Sequence, residues 1–108
     1  MELPIVKTPA ECVDKNEIRQ QIDRIDKEII TLFALRFQYV NEIVKFKSDA
    51  ESVVAQDRKN EVISLRGEWA QAQGLDKCTF EAIFKCLIDY NIKKELEILN
   101  RRNEQAMC

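Results

Sequence analysis

Three cations stand on or beside an apolar helical stripe: Arg19, Arg36 and Lys47. Ile18, Ile22, Ile25, Ile29, Leu32, Val40 and Ile43 recur at the spacing of one helical face. Continued, that stripe meets Arg36 and Lys47, while Arg19 lies at its edge, one residue round. A long cation turned toward a core is costly to desolvate unless an anion meets it. A second stripe, Phe80, Ile83, Phe84, Leu87, Ile88 and Ile98, contains Asn91 and Glu95. Arg58 opens the segment between the two stripes. The combination offers up to four cations, one amide and one carboxyl within walls of Ile, Leu and Val. Such an excess of cations suits a small polyanion, which guanidinium and ammonium groups bind through charge-assisted hydrogen bonds. The chemistry open to it is the holding and stabilising of negative charge.

Each of these residues also has a plainer reading. Arg36 could pair with Glu95 or Glu42, or extend its head to the surface. Asn91 could set register in a helical core. Arg58 could be a solvated helix-start residue. Trp69 and the phenylalanines read as core. The chain contains no histidine, which removes the commonest general base and most nucleophilic triads. An enzyme built from it works by charge placement or through a carboxylate. Cys12, Cys78, Cys86 and Cys108 show no CxxC spacing, so they read as reduced thiols of a cytoplasmic protein rather than as zinc ligands. A net charge of -2 gives no reason to expect nucleic acid or an anionic membrane as partner. No apolar run approaches the roughly 20 residues of a membrane span. Met1 to Thr8 lack the basic start and apolar block of a signal peptide.

The elements that must position these groups follow from the same periodicities. The 108 residues fit one domain, and 45% apolar with 33% charged residues favours an all-α fold over disorder. Residues 1–13, with Pro4 and Pro9, read as an irregular leader, and 14–108 as a single helical domain. The first helix is predicted from Asp14 to Lys47, capped by Asp14 or Asn16, and is roughly 50 Å long. Residues 48–56 read as a loop. Asp57 is the expected cap of a second helix over 58–73, with Val62, Leu65 and Trp69 on its apolar face. Gly74 suits the left-handed position after its last turn. A third helix begins near Asp76 or Thr79 and ends near Asn103. A helix of roughly 50 Å exceeds the width of a domain whose radius of gyration is near 13 Å. Its apolar face needs a second chain, so the expected assembly is an intertwined two-fold dimer. Arg19 lies too many turns from Arg36 to serve one small ligand with it, but in a dimer it could reach the partner's pocket.

The run IRQQIDRIDKEIITLFALRFQYVNEIVKFK resembles the first helix of the all-α, type II chorismate mutases. The spacing Arg19–Arg36–Lys47 matches that family's three helix-one cations. KTPAECVDKNEIRQQIDRID and EWAQAQGLD look especially like the isochorismate pyruvate lyase branch. The resemblance covers about residues 7–100. It implies an entwined helical homodimer with two equivalent sites for a dicarboxylate substrate, and no cofactor or metal. By position it implies that Arg19 of the partner chain grips a substrate carboxylate and Arg36 the enolpyruvyl carboxylate. Lys47 then donates to the ether oxygen and a carboxylate, Arg58 closes the site, and Glu95 offers the ether oxygen a second hydrogen bond. The first expectation is a chorismate mutase and the second an isochorismate pyruvate lyase, with both activities in one protein as a variant. A third, a non-catalytic helical dimer serving interaction alone, needs no chemistry from these groups.

Two positions depart from the common bacterial pattern. Glu95 stands where many bacterial members have Gln, although fungal members carry Glu. An ionised carboxyl cannot donate a hydrogen bond, so the expected active form has Glu95 protonated. Lys59 stands where bacterial mutases often have a Glu that helps hold the ring hydroxyl. That hydroxyl distinguishes chorismate from isochorismate, so position 59 bears on substrate choice. Residues 48–57 lead to Arg58 and are a candidate lid.

Overall fold

The computed structural model describes residues 7–107, with side chains described to residue 105. The N-terminal part of the expected leader, including Pro4, and Cys108 lie outside the described residues. Four α-helices occur among the described residues: α1 (Lys15–Ile43), α2 (Ala50–Val54), α3 (Gln56–Ala72) and α4 (Lys77–Met107). Two 3-10 turns, Pro9–Glu11 and Val44–Phe46, complete the order, and no strand is present among these residues. The three long helices are those expected; the short α2 is an addition.

The chain divides into two compact units, one ending at Gln38 and the other beginning at Tyr39. In the first unit, Asp14 caps α1 by accepting the Glu17 amide at 2.9 Å. Glu17 in turn accepts the Val13 amide at 2.8 Å and the Lys7 ammonium at 2.8 Å. These contacts hold the Glu17 carboxyl below its usual pKa, the Lys7 bond first and the Val13 amide second. The described part of the leader is therefore built onto the start of α1, with Thr8 and Glu11 closing the first 3-10 turn.

In the second unit the helix of the first stripe ends earlier than its apolar pattern. At Ile43 it tightens into the 3-10 turn, and Lys47 is extended, with φ -113 and ψ 135. The Val44 carbonyl accepts the Lys47 amide at 3.0 Å instead of continuing an α-helical ladder. Asp49 then caps α2 through the Ser52 amide at 2.8 Å. Five residues are too few to show a helical period, which is why 48–56 read as a loop. Their reason for folding is Val53, 2% exposed, which joins Val44 and Leu99 in the core against Ile92, Leu96 and Ile98. α2 ends at Ala55, whose φ of 41 is left-handed, and α3 starts at the next residue. Asp57 therefore lies inside the first turn of α3 rather than capping it.

α3 lies against α4 at Gly67, where a Cβ would fall 2.6 Å from Glu81 Cγ. Gly74 follows α3 with φ 79, as the turn requires. Asp76 caps α4, accepting the Thr79 amide at 3.0 Å and the Thr79 hydroxyl at 2.6 Å. Trp69, expected in the core, is 53% exposed, with the Arg66 guanidinium 4.5 Å above its ring. The buried face of α3 is instead Val62, Gly67 and Ala70.

Candidate active site

α4 presents Asn91, Glu95, Leu99 and Arg102 at steps of four, four and three residues. At about 100° per residue these share one face. Asn91, Glu95 and Leu99 are buried and Arg102 is half-buried. Polar groups dominate this face, and Leu99 fills the core between Glu95 and Arg102, which both make hydrogen bonds.

Glu95 is 4% exposed, and its Oε1 accepts the Lys47 ammonium at 2.9 Å. A carboxylate so deep in the protein is tolerated only with such a partner. The ammonium carries three protons and spends one on Glu95, leaving two directions for another acceptor. The backbone of the same lysine is held from further along α4. Arg102 Nη2 donates to the Lys47 carbonyl at 2.6 Å, and Nη1 to the Val44 carbonyl at 3.1 Å. The Val44 carbonyl thus accepts both the Lys47 amide and this guanidinium, and both carbonyls lie where a helical segment ends. Lys47 is thus gripped at its side chain and at its main chain by one face of α4.

The other expected site residues are placed as follows. Asn91 lies one turn before Glu95 on the same buried face. Arg58 sits in the first turn of α3 and bonds Glu61 at 2.8 Å, with both side chains largely exposed. It borders an open cleft with Asp49, Glu51 and Asp57, a setting with more carboxylates than cations. Arg19 is exposed in the second turn of α1, and Arg36, further along the same helix, is half-buried. Burial of its guanidinium pulls the Arg36 pKa below the ordinary arginine value. Glu42, one of its expected structural partners, is taken by Lys45. Lys59 pairs with Asp89, which also receives Lys85 at 2.9 Å. The Lys59 bond, then the Lys85 bond, hold the Asp89 carboxyl below its usual range. Among the described residues, no three His, Cys, Asp or Glu gather as a metal-binding group. No helix of the described residues is long and apolar enough to cross a membrane.

Arg102 and Leu99 were not singled out in the sequence. Their signal was the continuation of the Glu95 face at four and seven residues, hidden because Ile98 and Arg101 beside them are of the same residue classes.

The described side chains thus bring one ammonium against one buried carboxylate on an all-helical scaffold. Residues 18–96 match the family model described as chorismate mutase type II, and the chain belongs to that family. It is also similar to isochorismate pyruvate lyase of Pseudomonas aeruginosa. The two are 32% identical over 92 residues, which covers 85% of this chain and 91% of that protein.

Proposed function

We propose that the protein is an enzyme acting on a chorismate-class dianion, and that it rearranges chorismate to prephenate. The observation that carries this reading is the buried Lys47–Glu95 pair in a member of this family. A [3,3] rearrangement needs neither nucleophile nor proton transfer, which suits a chain without histidine. The ether C–O bond breaks as the new C–C bond forms, and negative charge develops on the ether oxygen. The two free protons of the Lys47 ammonium are suited to that oxygen and a neighbouring carboxylate. Arg36 and Arg58 neutralise the carboxylates and hold the near-attack conformer. Arg58 reaches the substrate when its exposed side chain leaves Glu61, its partner one turn on within α3, and residues 48–57, which lead to it, serve as the lid.

A second reading is favoured by the likeness to the Pseudomonas aeruginosa protein: cleavage of isochorismate to salicylate and pyruvate. The same clamp serves there, with the transferred hydrogen moving within the substrate.

The working form is a homodimer in which Arg19 enters the partner's site. The support is the uncovered apolar stripe of α1, where Ile18, Ile22, Ile29, Leu32 and Ile43 are all 41–49% exposed. Such a stripe is more than a single chain ordinarily leaves to water. The free thiols of Cys12, Cys78 and Cys86 suit a reducing cytoplasm.

Purified protein assayed with chorismate and with isochorismate tests the reading. Turnover of chorismate supports the first form, and turnover of isochorismate alone the second. Arg36→Ala is expected to lower the rate by about 100-fold or more. If neither substrate reacts and no dicarboxylate ether analogue binds, a non-catalytic interaction module replaces both.

A further inference from the structure

We propose that Arg102 is a positioning residue that fixes where the Lys47 ammonium stands. The inference rests on the function proposed above only for its rate consequences.

Lys47 belongs to a stretch with little structure of its own: it follows a three-residue 3-10 turn and is itself extended. Without a tether, the backbone at 47 has the freedom of a loop end, and a long lysine side chain multiplies any displacement. Arg102 removes that freedom. Its guanidinium takes the carbonyls at both ends of the turn, Val44 at 3.1 Å and Lys47 at 2.6 Å. A planar two-pronged donor fixes both position and orientation, which a single-point ammonium cannot do. Seven residues of α4 separate Glu95 from Arg102, a rise of about 10.5 Å. Along that rigid span one end holds the lysine's main chain and the other receives its ammonium. The distance between the two grips sets how far the side chain extends, and hence the direction of the two protons not given to Glu95.

The test uses Arg102→Met, which keeps the aliphatic stem, and Arg102→Lys, which keeps one donor. Displacement of a catalytic group by about 1 Å costs up to 100-fold. For Arg102→Met the expected result is a fall in kcat of about 10- to 100-fold with KM within about threefold, and partial recovery in Arg102→Lys. In a Lys47→Ala background, Arg102→Met is expected to cost no further rate, because the group it positions is gone. A purely structural role gives multiplicative losses there, or a kcat within about twofold once the folded fraction is counted. Either result overturns the proposal. The ammonium resonance of Lys47, followed by 15N–1H NMR, gives a reading that needs no activity. It is expected to stand apart from the exposed lysines in the parent protein and to move to their position in Arg102→Met. An unchanged resonance overturns the positioning role even if the proposed reactions occur. A shifted one upholds it even if the parent protein turns over neither substrate.

Discussion

The Lys47 ammonium lies 2.9 Å from Glu95 Oε1 although 48 positions separate the two residues. The carboxylate side chain is 5% exposed and the ammonium side chain 19% exposed. The pair is thus asymmetric: one partner is sealed in and the other still faces outward. That asymmetry suits the proposed site, in which the sealed partner anchors and the outward one meets the substrate.

Lys47→Met is expected to lower the rate of the proposed reaction by about 100-fold or more, as the loss of a donor to developing charge does. It also strands Glu95, at a stability cost of about 1–3 kcal/mol. Adding Glu95→Gln should restore the stability but not the rate. Denaturant unfolding together with steady-state assays separates the two effects. Recovery of rate in the double variant removes Lys47 from the chemistry.

Shared sites predict complementation. Arg19→Ala and Lys47→Ala chains, each inactive alone, should regain activity when unfolded together and refolded. Random pairing makes about half of the dimers mixed, and each mixed dimer has one intact site of two, so about a quarter of parental activity is expected. A mixture as inactive as its components, or a monomer by sedimentation, rejects the partner-chain role of Arg19.

The helix caps predict an acid limit. The Thr79 hydroxyl, then its amide, hold the Asp76 carboxyl below its ordinary pKa. A depressed folded pKa means that the stabilisation is fully present above the unfolded value, about 3.9 for Asp, and is lost as pH falls through the folded value. Asp76→Asn keeps a capping oxygen that does not titrate. Thermal melts from pH 6 to pH 2 should therefore show a shallower loss for Asp76→Asn than for the parent. Parallel curves would show that this cap carries none of the acid sensitivity.

The three long helices were legible because their periods run for many turns, and Asp14, Gly74 and Asp76 mark their ends by short polar or flexible chemistry. Lys47 and Glu95 were legible as charges on apolar stripes, a conflict that a fold resolves by pairing them. α2 was not, since its one core contribution, Val53, has no neighbouring turn to establish a period. The left-handed Ala55 was invisible because nothing in an alanine announces positive φ. Trp69 misled because size and hydrophobicity suggest burial, whereas its ring also stacks well under a guanidinium at the surface.

The contacts around Lys47 also close over long stretches of chain. α3 and α4 are joined by only four residues, 73–76, so their hairpin closes at small entropic cost. The bonds from Lys47 to Glu95 and from Arg102 to Val44 close loops of 48 and 58 residues. Loop closure costs about 0.6 kcal/mol more per doubling of length, or about 2 kcal/mol over that range. The contacts that seat Lys47 are thus the long-range ones, and the α3–α4 hairpin is the local one; amide exchange at Val44 and Lys47 is expected to be faster than within α3 and α4, and equal protection would show that the segment opens only with the whole.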